Sequence, residues 1–268
     1  MKNKNIPLVS IIMNCHNGEK YLKKSIRSII SQTYKNWELI FFNNKSSDKS
    51  KYFFDTFKEP RFKYFESKLF YSLYEARNLA ISKAKGKFIC FLDTDDWWEK
   101  KKLKKQINLF NKFPNLKFIY SNYFVYHQST KEKKIFSNKF LPEGFLTQKL
   151  LNIYFIGLGT VMIKKKLFKK KKFNKRYNII GDFDLFLNIS KNNIIKCIQE
   201  PLAYYRIHSN NLSSLRLDLY IREISQWVKI IKKNKDFKKY SFFRFQLFIY
   251  KLKVKKILNS VGSILQNV

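Results

Sequence analysis

Three times in the first 92 residues, a short apolar run is followed by a polar loop and then by an amphipathic helical pattern. LVSII (Leu8 to Ile12) leads into NCHNGE and then into a stretch whose Leu22, Ile26, Ile29 and Ile30 recur on one helical face. WELIFF (Trp37 to Phe42) leads into NNKSSD, where Ser46 or Ser47 is the expected N-cap of a short helix through KYFFDTF. RFKYF (Arg61 to Phe65) alternates like an edge strand, and Leu73, Ala76, Ala80 and Ala84 mark a helix with its stop signal at Gly86. KFICFL (Lys87 to Leu92) is apolar enough for a central strand buried on both faces. Such alternation predicts right-handed crossovers and a largely parallel sheet, with the loops after the strands gathered on one rim. NCHNGE, NNKSSD and DTDD belong to that rim, so a nucleotide-type cleft is expected there. Neither GxGxxG nor GxxxxGK[ST] is present, which weighs against a dinucleotide fold and a phosphate-cradling P-loop.

The segment FLDTDDWWEKKKL (Phe91 to Leu103) places three carboxylates in a chain with 55 Lys and Arg, 19 Asp and Glu, and a net charge of +36. That field favours the ionised form of clustered carboxylates. Two aspartates one residue apart at a strand end suit a hard divalent cation, which would neutralise a diphosphate. Asp95 and Asp96 equally suit N-capping of a helix beginning near Trp98. The lysine excess reads partly as a solvated surface and partly as attraction to phosphate-bearing partners. With 45% apolar residues there is material for one large folded domain, alone or with a smaller appendage. Cys15, Cys90 and Cys197 lie apart in apolar runs without CxxC spacing, as buried thiols of a reducing compartment would. Residues 1–9 lack the apolar core of a signal peptide, and no uninterrupted apolar run reaches the roughly 18 to 20 residues of a spanning helix. A cytoplasmic protein, soluble or peripheral, is expected.

In the second half, LKFIYSNYFVYH (Leu116 to His127) reads as paired strands and FIGLGTVMI (Phe155 to Ile163) as a loop entering a strand. GDFDLFLNISK (Gly181 to Lys191) reads as a helix starting on acid. A small mixed sheet against the first half would suit these segments. From Leu212 the pattern is helical, broken at KKNKDFKK and resumed through Phe245, Phe248, Ile249, Leu252 and Ile257. This tail reads as a two-helix appendage, and its interleaved basic and aromatic residues suit either an anionic membrane surface or packing on the rest of the chain.

Together, PLVSIIMNCHNGEKYLKKSIRSIISQTYKNWELIFFNNKSSDKS, YEARNLAISKAKGKFICFLDTDDWW, and GDFDLFLNIS followed by PLAYYRIHSNNLS resemble the family 2 glycosyltransferases of the GT-A type, in order and spacing, over Pro7 to Ser213. The resemblance implies an α/β fold: a Rossmann-like, mostly parallel sheet flanked by helices, with a small mixed acceptor-side sheet and a C-terminal helical appendage. The implied division is 1–213, with a nucleotide-sugar-binding half at 1–115 and an acceptor-side half at 116–213, followed by a basic amphipathic region at 214–268. The implied activity is inverting transfer of a sugar from a nucleoside diphosphate, UDP-sugar foremost, to a glycan or lipid-linked hydroxyl in cell-envelope polysaccharide or lipopolysaccharide biosynthesis. Mn²⁺ or Mg²⁺ is the implied cofactor.

By the same resemblance, Asp93 and Asp95 match the DxD aspartates that contact the metal and the sugar diphosphate, while Asp96 reads as a helix cap. His208 matches a histidine near the diphosphate and joins the candidate metal set. Arg77 matches a basic position facing the donor, although its residue pattern equally suits a surface arginine. Asn14 and Asn17 match residues around base and ribose, and also suit a turn. Asp182 matches the proposed general base of a Glu-Asp pair, although it and Asp184 equally suit the charge of a helix N-terminus. The chain departs from the family pattern at two places. Asn43-Asn44 stands where an Asp pair is common, which leaves an amide to read the base. Gly181 stands where the Glu of the Glu-Asp pair is usual. A nucleic-acid-binding protein is the competing class, on the +36 charge and abundant Tyr and Phe, but DTDD on the rim and the lack of a helix-turn-helix, RRM or zinc pattern weigh against it, and no nucleic acid is expected as partner. A metal-dependent nucleotidyltransferase would share the nucleotide and the metal but transfer phosphate.

Overall fold

The computed structural model describes residues 6–265. Residues 1–5 and the last three residues of the tail lie outside the described residues. The first half follows the alternation in the sequence: β1 (Val9–Cys15), α1 (Glu19–Ile30), β2 (Trp37–Asn43), α2 (Ser50–Asp55), β3 (Phe62–Glu66), α3 (Leu73–Lys83) and β4 (Phe88–Phe91). β1 pairs in parallel with β2 and with β4, and β2 with β3, so their carboxyl ends share one rim. β3 is the edge strand, and β4 is buried along its whole length between β1 and an antiparallel neighbour.

Beyond this come β5 (Trp97–Trp98), α4 (Lys102–Lys112), β6 (Phe118–His127), β7 (Lys133–Ile135), α5 (Thr147–Asn152), β8 (Met162–Lys164), α6 (Gly181–Ser190) and β9 (Ile195–Ile207). The sheet order is β3-β2-β1-β4-β8-β6-β9-β5, with β7 on β6. The mixed second-half strands thus extend the parallel sheet rather than forming a sheet of their own. LKFIYSNYFVYH is one ten-residue strand, not two, because β8, β9 and β7 lie along it and supply its partners.

Local expectations fail where tertiary contacts outweigh local signals. The helix expected near Trp98 begins at Lys102. Trp97 and Trp98 instead pair with Tyr204 and Ala203 of β9, with the Trp97 and Tyr204 rings stacked 4.5 Å apart. Asp96 therefore caps no helix; its Oδ1 accepts the Arg206 backbone N–H at 2.8 Å. Ser46 and Ser47 do not cap α2, whose N-cap is Lys49. Gly86 is needed for close approach: an added Cβ would lie 2.6 Å from the Ser10 backbone nitrogen of β1.

Two apolar clusters cover the two faces of the sheet. One packs Leu22, Ile26 and Ile29 of α1 and Leu103 and Ile107 of α4 against β1 and β2. The other joins α3, α5 and α6 to α8 (Leu217–Ile231) and α9 (Phe243–Leu265), which follow the short α7 (Leu212–Leu215). Phe245 stacks on Phe183 at 5.2 Å, with Trp227 at 4.9 Å from the same ring. Phe245 and Ile249, part of the tail stripe that suited a membrane anchor, are thus core residues. The α9 face left exposed carries Phe243, Leu247, Tyr250, Ile257 and Leu258. All three cysteines are free and buried.

Candidate active site

The loops after β1 and β2 are latched to each other. Asn17, held at φ 54°, accepts the Ser47 N–H on Oδ1 at 2.8 Å and donates its own N–H to Ser46 Oγ at 3.0 Å. Gly18 N–H donates to Ser50 Oγ, and Glu19 N–H to Asp48 Oδ2, both at 2.9 Å. The serines expected as caps therefore secure the first loop. Asn43 gives its amide N–H groups to Tyr64 Oη and Glu66 Oε1 and accepts Ser46 N–H. Asn44 donates to the Tyr71 carbonyl and accepts Tyr71 N–H and Ser67 O–H. Both amides are buried and engaged by the protein, so they shape the rim. Asn14 is the reverse case: its amide oxygen and nitrogen are both buried without a hydrogen-bond partner. A buried unsatisfied amide costs about 1–3 kcal/mol, which a ligand could recover.

Past the end of β4, Asp93 Oδ1 accepts from Arg77 Nη2 at 2.6 Å. Arg77 is only 4% exposed, which excludes the surface-arginine reading. His208 Nε2 lies 3.0 Å from Asp95 Oδ2, and Asn210 N–H donates to His208 Nδ1 at 3.2 Å. This pattern fixes the tautomer: Nε2 carries the proton and Nδ1 accepts. Arg206, two residues earlier, donates from Nε to the Asp95 carbonyl at 2.7 Å and lies over Trp97 and Tyr21. It thereby ties β9, and with it His208, to the DxD loop. Burial, reinforced by the Asp93 charge, pushes the Asp95 carboxyl up. Burial also raises Asp96 well above its ordinary value.

Asp182 stands in the first turn of α6, where the helix dipole and the Phe183 N–H favour a carboxylate. Tyr154 Oη donates to its Oδ2 at 2.9 Å, and Tyr74 Oη lies 3.1 Å from its Oδ1. Burial raises its pKa, opposed most by Arg77. Tyr74 and Arg77 are three residues apart on α3, hence on one face, so this helix spans from Asp182 to Asp93. Asp184 faces elsewhere, accepting Trp227 Nε1 at 2.8 Å. The structure thus brings together Arg77, Asp93, Asp95 and His208, with Asp182 alongside, and places Asn17, Asn43 and Asn44 in the hydrogen bonds that join the neighbouring loops. Sequence reading missed Tyr74, Tyr154 and Arg206. Only Arg206 carried a local signal, its place in the same YRIH segment as His208.

The carboxylate pair Asp93 and Asp95 suits a divalent cation. Asp95 and Asp93 repel each other, and a cation between carboxylates would relieve that repulsion. Ligation through His208 Nε2 requires its proton to move to Nδ1, at the expense of the Asn210 contact. Among the described residues no group of three or more His, Cys, Asp or Glu side chains could hold a metal, so the expected set of Asp93, Asp95 and His208 is not a three-ligand site. Other ligands would have to be water and substrate oxygens, the way Mg²⁺ sits on one or two carboxylates plus phosphates.

Residues 10–176 match the model of glycosyl transferase family 2. The chain is a family 2 glycosyltransferase. Its relatives include the Escherichia coli UDP-Glc:alpha-D-GlcNAc-diphosphoundecaprenol beta-1,3-glucosyltransferase WfgD, 34% identical over 77% of this chain and 80% of that protein. WfaP of the same description, also from E. coli, is 31% identical over 81% of this chain and 84% of that one. Among solved structures, Staphylococcus aureus TarS 1–349 in complex with UDP-GlcNAc is similar with a TM-score of 0.64 at 15% identity, over 81% of this glycosyltransferase and 66% of that chain. The Pyrobaculum calidifontis mannosyltransferase PcManGT, in complex with GDP-Man and Mn²⁺, has a TM-score of 0.65 at 12% identity, over 92% of this chain and 70% of that one. These likenesses establish the GT-A fold of the glycosyltransferase.

Proposed function

We propose that the enzyme moves a sugar from a UDP-sugar to a hydroxyl of a lipid-linked diphosphate glycan in cell-envelope biosynthesis, with inversion at the anomeric carbon. The carrying observation is the rim where Asp93, held by buried Arg77, and Asp95, held to His208, stand beside a single separately hydrogen-bonded carboxylate, Asp182. The undecaprenol-linked acceptors of WfgD and WfaP support the acceptor class, and their UDP-Glc the donor class. Asp182 takes the proton of the acceptor hydroxyl as that oxygen attacks. One base and direct displacement invert the centre. Asp93 and Asp95, with water and substrate oxygens, would hold Mn²⁺ or Mg²⁺, which when bound would supply charge neutralisation to the leaving diphosphate, and His208 would hold Asp95 in place. Arg77 balances Asp93 in the buried wall, and Asn14 offers its unpaired amide to the donor. A purified-enzyme assay with UDP-sugars and a short lipid-diphosphate-GlcNAc acceptor tests this, with sugar-extended lipid and UDP as the expected products and nucleotidyl-phosphate transfer as the refuting one.

Location at an anionic membrane surface belongs to the same reading. Among the described residues no helix is long and apolar enough to cross a membrane. The exposed row Phe243, Leu247, Tyr250, Ile257 and Leu258 on α9 is interleaved with Arg244, Lys251, Lys253 and Lys255, the composition of an interfacial helix. Since Phe245 and Ile249 are core, truncation would unfold the enzyme, and substitution of the outer row is the informative variant. Leu247→Glu with Tyr250→Glu should leave Tm within a few degrees of wild type and abolish co-sedimentation with phosphatidylglycerol vesicles. Wild-type binding should weaken as salt rises. Unchanged vesicle binding in the variant would remove α9 from this role.

A further inference from the structure

Gly181 and Tyr74 fit each other. An added Cβ at Gly181 would lie 2.5 Å from the Tyr74 ring, so the phenol fills the space where any side chain at 181 would begin. The ring delivers its hydroxyl between two acceptors, Asp182 Oδ1 at 3.1 Å and the Ile179 carbonyl at 2.9 Å. A phenol has one hydrogen and can serve only one of them fully at a time. Tyr154 has Asp182 Oδ2 as its partner at 2.9 Å, and Phe183 N–H donates to Oδ1 at 2.9 Å.

We propose that Tyr74 is a positioning residue that keeps Asp182 hydrogen-bonded in both of its protonation states, and that Gly181 is the residue that admits it. This rests on the reading of Asp182 as the base. With Asp182 ionised, Tyr74 O–H donates to Oδ1. Once the carboxylate has taken the acceptor proton, the phenolic hydrogen turns to the Ile179 carbonyl and the phenol oxygen accepts from the new acid O–H. No proton passes between the two residues; a hydroxyl rotates. Tyr154 donates to the other oxygen and holds the plane of the carboxylate. Other ionisable groups that act on Asp182 include Arg77 from α3 and Tyr220 from α8. Neither offers this exchange of donor for acceptor.

Tyr74→Phe keeps the ring, and so the fit to Gly181, and removes only the hydroxyl. The bond lost by the ionised carboxylate is charge-assisted and stronger than the one lost by the acid. The acidic limb of the kcat profile should therefore move to higher pH, by about half a unit to one unit, with kcat reduced roughly tenfold and donor KM within about twofold. Fit is tested separately by Tm: Gly181→Ala should lower it markedly in the wild-type background and hardly at all in a Tyr74→Ala background. A Tyr74→Phe enzyme with an unshifted limb and near wild-type kcat, measured beside an inactive Asp182→Asn, overturns the proposal and leaves the base in place. An active Asp182→Asn removes the base and this proposal with it.

Discussion

Asp182→Asn should bind UDP-sugar about as tightly as wild type and lose transfer by ~10²-fold or more, the usual cost of removing a general base. The amide oxygen can still accept from Tyr154 or Phe183, so the site should keep its shape. Stability should not fall. Burial raises the folded-state pKa of Asp182 above its unfolded value, so the stability linked to its proton is present below the unfolded pKa and is lost as pH rises through the folded one. At neutral pH an uncharged amide avoids that loss. Donor titration calorimetry, single-turnover transfer and a melting curve check the three parts. Transfer within a few-fold of wild type would exclude Asp182. Asp184 would be a poor replacement, because its carboxylate is engaged by Trp227 on the side of α8.

Asp95→Asn should abolish metal-dependent donor binding, since an amide is a far weaker ligand for a hard cation than a carboxylate. The Asn carbonyl can still accept from His208, so Tm should stay near wild type. Asp96→Ala provides the contrast. It strips the acceptor from the buried Arg206 N–H and should cost about 1–3 kcal/mol of stability. Calorimetry of the Asp95 variant with UDP-sugar, with and without Mn²⁺ or EDTA, decides the assignment; unchanged affinity that ignores EDTA would remove the metal from this site.

The parallel half of the fold was legible because its signals are local: β-branched runs, helical periodicity and polar loops at regular intervals. Trp97-Trp98 shows where local reading stops. Beside a lysine-rich helix two tryptophans look helical, and only the distant Tyr204 turns them into a strand. The same limit applies to Asp96, whose partner Arg206 lies 110 residues away. At the site, Asp93, Asp95, Asp182 and His208 could be picked out by motif. Tyr74 and Tyr154 could not, since an aromatic residue at a helix start or after a short helix ordinarily packs in the core, as these rings also do. Asn43 and Asn44 show a role that local reading did not supply. A polar pair after a strand suggests a ligand edge, and the same amides also tie the rim together through Tyr64, Glu66, Ser67 and Tyr71.

The central claim is that one carboxylate and a metal-bearing DxD rim transfer a sugar with inversion to a lipid-linked acceptor. The most direct test is to incubate the enzyme with Mn²⁺, an α-configured UDP-sugar and a lipid-diphosphate-GlcNAc acceptor, and to determine the anomeric configuration of the new linkage by NMR. A single β-glycoside with release of UDP, absent with Asp182→Asn, is the predicted result. An α-linked product, or one that carries phosphate from the donor, would contradict the account.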